Sequence, residues 1–132
     1  MSMTTTGWAG LAEGEPWRYV GDTDQPAWEN GWDTLGGEVA TAFRLREAGI
    51  VDIQGVLEGG AVTDVAFTLP EGYRPSTKTF VAAYGFNSLG TPEGIPAIVT
   101  ILTDGSVTPV ATTACETVYF AGQIFLVPPE VA

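Results

Sequence analysis

Histidine is absent from this chain, cysteine occurs once, and only 5 of the 132 residues are basic. Without histidine there is no Ser-His-Asp or Cys-His arrangement and no imidazole metal site. The single cysteine, Cys115, cannot close an intrachain disulfide, so the fold rests on packing. With no imidazole to activate it, Cys115 reads as a small buried or half-buried residue and not as a nucleophile. No apolar run reaches the roughly 18 residues of a membrane span, and no basic start with a cleavage-site pattern marks a secretion signal. No Gly-rich loop runs into Lys-Ser/Thr, which removes the phosphate cradle of nucleotide chemistry. A carboxylate pair for glycoside hydrolysis is the one catalytic route left, and nothing locates it among 16 acids. Asp22 and Asp24 are spaced as in a calcium loop, but the downstream ligands are missing, so they read as solvated loop acids. The chain is therefore read as not an enzyme, with no cofactor and no metal.

Charge is scarce and one-sided. Charged residues make up 16%, against a usual share of about 25%. The net charge is −11, and the N-terminal half is the strongly acidic one: residues 1–66 hold eleven acids and three arginines, residues 67–132 five acids and two basic residues. Such a field repels phosphates and anionic lipid, which disfavours nucleic-acid and membrane-surface roles. Few charges also mean more neutral and apolar surface than a typical monomer shows, so some faces are expected to meet other subunits.

Glycine (17) and proline (9) are plentiful, which points to many turns joining short strands. A chain of this length fits one domain, burying about two-thirds of its unfolded surface. Residues 14–38 show no sustained period beyond a short strand at Trp17–Val20. From residue 39 the period is two. Val39, Thr41, Phe43 and Leu45 face one way, and Arg44 and Arg46 the other. Val51, Ile53, Gly55 and Leu57 alternate with Asp52, Gln54, Val56 and Glu58; beyond the Gly59-Gly60 turn, Val65, Phe67 and Leu69 repeat the pattern. These are half-buried antiparallel strands. Pro70 and Pro75 bracket a rigid corner, with Tyr73 and Arg74 in structural roles: the arginine bonding loop carbonyls, the tyrosine packing on proline. Thr79–Phe86, Ala97–Leu102 and Val118–Val127 are apolar on both faces, which calls for a second covering layer. Asp104-Gly105 is a two-residue hairpin signal. The expected fold is all-β, an antiparallel sandwich with jelly-roll-like topology and no helix of consequence.

Three of the four tryptophans, Trp17, Trp28 and Trp32, lie within sixteen residues of one another among acids and an amide. An aromatic face covers the apolar C–H patches of a sugar, while acids and amides bond its hydroxyls. Trp28, Asn30, Trp32, Asp33 and Trp17 are accordingly the glycan-binding candidates, with Trp28 and Trp32 flanking an Asn30-Gly31 turn. The alternative is that these tryptophans anchor long loops in the core or between protomers.

One ordered string joins these features: Pro16-Trp17-Arg18-Tyr19-Val20-Gly21, Trp28-Glu29-Asn30-Gly31-Trp32, Phe43-Arg44, Ile50-Val51-Asp52-Ile53-Gln54-Gly55, Glu58-Gly59-Gly60 and Phe67-Thr68-Leu69-Pro70-Glu71-Gly72-Tyr73-Arg74-Pro75. In order and spacing it resembles the C-terminal head (receptor-binding) domain of bacteriophage minor tail and tail-fibre proteins, over roughly residues 14–127. The resemblance implies a homotrimer around a threefold axis and a virion structural protein, assembled in the bacterial cytoplasm and binding host cell-surface glycan. Its partners would be its own copies, other virion proteins of the tail tip or capsid, and host cell-wall carbohydrate. Members of that family usually carry a long N-terminal shaft; here about thirteen residues precede the head. Residues 1–13 are thus expected to be a docking arm and 14–132 the head domain. A capsid decoration or head-fibre trimer of the same fold is the alternative.

Overall fold

Side chains that alternate between apolar and polar settle as strands with one dry face, and that alternation fills most of this chain after residue 40. The computed structural model describes residues 14–47, 49–86, 94–112 and 115–126. Among them are nine strands: β1 (Arg18–Tyr19), β2 (Asp33–Thr34), β3 (Ala42–Glu47), β4 (Ile50–Glu58), β5 (Phe67–Thr68), β6 (Thr79–Phe86), β7 (Ile95–Ile101), β8 (Ser106–Ala111) and β9 (Thr117–Phe125). The expected docking arm at 1–13 lies outside the described residues. No helix among the described residues is long and apolar enough to cross a membrane.

The domain is all-β, built on a curved, open antiparallel sheet in the order β1-β3-β4-β9-β6-β7-β8-β5, with β2 added beside β4. The last long strand, β9, lies in the middle, paired with β4 from Ile50↔Phe125 to Glu58↔Thr117 and with β6 from Ala83↔Phe120 to Phe86↔Thr117. The alternation read in the sequence sorts as expected with two exceptions: Val39, expected on the dry face, lies before β3 and is 51% exposed, and Val56, expected on the polar side of β4, is fully buried. Phe43, Val51, Ile53 and Leu57 are buried on the inner face, joined by Val81, Val99, Ile101, Val107, Val118, Phe120 and Ile124. Arg44 and Asp52 point outward together, as do Tyr84 and Tyr119.

All these pairings belong to one hydrogen-bonded path, and the layer over its inner face is made largely of loops. The 26–34 loop brings Trp28 and Trp32 onto the core, and the 60–75 segment brings Val62, Phe67, Leu69 and Tyr73. The two loops are tied by Glu29 N–H donating to the Ala66 carbonyl at 2.8 Å. Two edge-to-face ring pairs lock this layer, Trp28 on Phe67 (centroids 5.6 Å apart) and Phe43 on Tyr73 (5.1 Å). Such pairs add about 1 kcal/mol each beyond the area they bury.

The Asp104-Gly105 signal does form the β7–β8 hairpin, with Leu102 N–H bonded to the Ser106 carbonyl at 3.0 Å. Asp104 Oδ1 accepts the Ser106 N–H at 2.9 Å, which holds the Asp104 carboxyl below its ordinary range. Gly105 has φ +92°, and a Cβ there would meet the Leu69 carbonyl oxygen and the Arg74 side chain. Only glycine lets the hairpin tip seat against the corner at 70–75. From that corner Arg74 Nε donates to the Leu69 carbonyl at 2.8 Å, and Pro75 is buried. Cys115 is buried opposite Gly85, and burial pushes its thiol pKa up, away from thiolate reactivity.

Candidate binding face

The outer face of the sheet, bordered by the loop that carries Glu38 and Val39, carries two adjoining grooves along β9. β9 lies between β4 and β6, so every second residue (Tyr119, Ala121, Gln123, Phe125) stands outward beside its outward neighbours on β4. Ala121 is small, and it stands opposite Gln54. The surface therefore dips between the larger side chains at either end.

At one end the dip is apolar. A cleft of about 360 Å³ is lined by Val39, Val56, Ala82, Tyr84, Tyr119 and Ala121. Tyr84 and Tyr119 stack with ring centroids 5.1 Å apart and planes 2° from parallel, and Phe86 leans on Tyr119 at 5.5 Å. Tyr119 donates its hydroxyl proton to Glu38 Oε1 at 2.7 Å. That hydrogen bond, with burial and the carboxylate's charge, pushes the Tyr119 phenol up to about 12.

The other end is polar and aromatic. A wider groove of about 610 Å³ is lined by Trp17, Asp52, Gln54, Gln123 and Phe125, with Gly122 and Ala121 on its floor. Trp17 reaches it from the segment before β1, and the Arg44 guanidinium lies 4.4 Å from the centre of its ring. Arg44 is itself held by Asp52, Nε to Oδ2 at 3.4 Å. Arg46 Nε lies 3.3 Å from Asp52 Oδ1, an ion pair whose geometry does not make a hydrogen bond. The stack of indole, guanidinium and carboxylate fixes the plane of the Trp17 ring at the groove wall.

Beneath this wall Glu15 gathers three donors. Its Oε2 accepts from Leu45 N–H at 2.9 Å, from Tyr73 O–H at 2.7 Å and from Arg18 Nε at 3.2 Å, while Oε1 takes Arg18 Nη2 at 3.2 Å. Burial raises the Glu15 carboxyl pKa, but the bonds from Arg18, Leu45 and Tyr73 outweigh it and hold the pKa below the ordinary value. Burial and the Glu15 bond push the Tyr73 phenol up to about 12. Arg18, Arg44 and Arg46 thus meet acids within the protomer, and the Glu15 cluster pins the segment before β1 that carries Trp17.

The five residues singled out from the sequence do not assemble into one site. Trp32 is 2% exposed and donates Nε1–H to the Asp64 carbonyl at 3.2 Å. Trp28 packs edge-on against Phe67 beside the core. Asn30 and Gly31 do form a tight turn, both with positive φ (56° and 81°). The two rings nonetheless turn inward from that turn: in irregular backbone, ring direction follows the nearest apolar cavity. Trp32 and Trp28 therefore take the anchoring alternative. Asn30 donates Nδ2–H to the Val65 carbonyl at 2.8 Å from an exposed turn, and Asp33, exposed on β2, accepts the Thr34 N–H at 2.7 Å. Trp17 is the one of the five that lines the outer-face groove. Its companions carried no individual signal in the sequence: Gln54 stood on the polar side of a half-buried strand, and Gln123 and Phe125 lay in a strand read as apolar on both faces. Among the described residues, no group of three or more histidine, cysteine or acidic side chains is placed to hold a metal ion.

No protein-family model, no curated protein and no solved structure matches this chain.

Proposed function

We propose that this chain is a structural protein of a tailed-phage particle: a non-enzymatic, homotrimeric head module of the tail tip or tail fibre that binds host cell-surface glycan. The observation that carries the glycan reading is the Trp17–Asp52–Gln54–Gln123–Phe125 groove. Trp17 and Phe125 offer aromatic faces to the C–H side of a sugar. Gln54 and Gln123 offer amide donors and acceptors, and Asp52 an acceptor, to its hydroxyls. The strand floor under them is rigid, so little ordering is needed on binding. One such groove binds weakly, and three per trimer on a particle with many trimers supply avidity. In the trimer the sheet of one protomer backs another, and that arrangement completes the jelly-roll-like sandwich expected from the sequence. The protein works in the virion, after assembly in the bacterial cytoplasm.

A second reading, a decoration or head-fibre trimer on the capsid, gains from the inward turn of Trp28 and Trp32, which leaves one tryptophan where three were candidates. A pull-down on host cell walls separates the two. The parent is expected to bind, and Trp17→Ala and Gln123→Ala to lose at least about tenfold in affinity, or about 1.4 kcal/mol. Equal binding by the parent and both variants removes the groove as the sugar site. No binding by the parent, with hundreds of copies per virion, favours the capsid role.

A further inference from the structure

We propose that the outer face of β6, β7 and β8 is where a second copy of this chain docks. None of the residues of these three strands is charged, in a chain whose net charge is −11. Two copies of so acidic a protein repel one another over most of their surfaces. Docking through an uncharged face keeps the acids of both copies at the rim, in water and screened. Among the described residues the acids stand on loops and on β2, β3 and β4, and Lys78, just before β6, has its ammonium 5.5 Å from the Phe80 ring.

The same face is the apolar one. Phe80 is 58% exposed, Tyr84 52%, Ile98 37% and Leu102 37%. Ile98 stands between its cross-strand partners Ala82 and Val110, so the ridge is continuous from β6 to β8. At roughly 200 Å² for a fully exposed large side chain, the four large residues offer on the order of 350 Å². Ala82 and Val110 add to it. A partner in a standard interface gives up about 800 Å², a little over half of it apolar, or about 450 Å². The face therefore supplies most of the apolar area, and the chemistry, of one side of a stable interface. The polar groove at Trp17 and Phe125 is lined from β4, β9 and the segment before β1, outside these three strands. The inference rests on the oligomeric part of the function proposed above and not on its glycan part.

Sedimentation velocity on the full chain over a range of concentrations tests it. The parent is expected to run above monomer mass, and Ile98→Glu to raise the dissociation constant at least tenfold. Phe125→Glu, outside the face, should leave the constant within about twofold. Raising the salt concentration should tighten the parent's association, because it screens repulsion between acidic copies without weakening apolar contact. A monomeric parent overturns both the oligomer and this face. An oligomeric parent that Ile98→Glu leaves intact, or that salt loosens, overturns the face alone. Should Ile98→Glu lose its fold by circular dichroism, Thr108→Glu carries the same test from a polar, half-buried position on β8.

Discussion

Replacing Trp32 by alanine distinguishes a core anchor from a ligand-binding ring. The indole is 2% exposed and makes one hydrogen bond, to the Asp64 carbonyl. A tryptophan buries up to about 250 Å², which at about 25 cal/mol per Å² sets an upper bound of about 6 kcal/mol. Measured losses for such truncations run about 3–5 kcal/mol, because the site collapses in part. The hydrogen bond adds little, since Asp64 is exposed and water can take its carbonyl. Against a total stability of about 5–15 kcal/mol, the loss is a large fraction. The melting temperature should fall by about 10–20 °C. Urea unfolding followed by far-UV circular dichroism measures this without depending on the fluorophore removed. Trp17→Ala is the matched control: its ring is half-buried and held by Arg44, so its cost should stay near 1 kcal/mol. A loss below about 1 kcal/mol for Trp32→Ala, with the slope against urea unchanged, would refute the anchoring argument.

Glu15→Gln should cost about 1–2 kcal/mol at neutral pH, since it removes charge from an acceptor of four bonds. The Glu15 carboxyl lies below its ordinary 4.5 in the folded state, so its contribution is present above that value and is lost as pH falls through the lowered one. The gap in urea midpoint between parent and variant should therefore close in acid; a gap that widens there contradicts the assignment. The Tyr73 phenol, raised to about 12, contributes fully below its unfolded value near 10 and loses that contribution as pH rises through about 12. Gly55→Ala should destabilise by about 2–3 kcal/mol in thermal unfolding, because the added Cβ would stand 2.7 Å from the Thr41 Cα, on backbone that cannot swing away. Gly36→Ala, with nothing within 4 Å of the added carbon, should be neutral or slightly stabilising.

Much of the fold was legible because a strand's side chains alternate strictly, so period two maps directly onto inside and outside. Phe43 against Arg44, and Val51 and Ile53 against Asp52 and Gln54, could be sorted that way. The turn at Asp104-Gly105 was legible because glycine accepts the positive φ that it takes there at low cost. The excess of apolar residues on both faces of β6 and β7 was legible too, and the structure places the second set in solvent on the protomer, at Phe80, Tyr84 and Ile98.

The candidate site was much less legible. No period governs residues 14–38, so nothing local says which way a tryptophan there will point. Trp32 is set by Asp64 and by Gly60, whose missing side chain makes room for the indole, and Trp28 by Phe67. All are contacts across nearly thirty residues or more, through a loop closure that spacing does not encode. The groove depends on still longer pairings: Gln54 meets Ala121, and Val56 meets Tyr119, only because the last long strand inserts between β4 and β6. Composition and alternation alone determined an all-β, disulfide-free, acidic domain with strands dry on one face and partly apolar on the other. Which tryptophan lines a groove, and which uncharged strands lie side by side as one face, was decided by strand order and loop closure, because those contacts join residues that local sequence cannot relate.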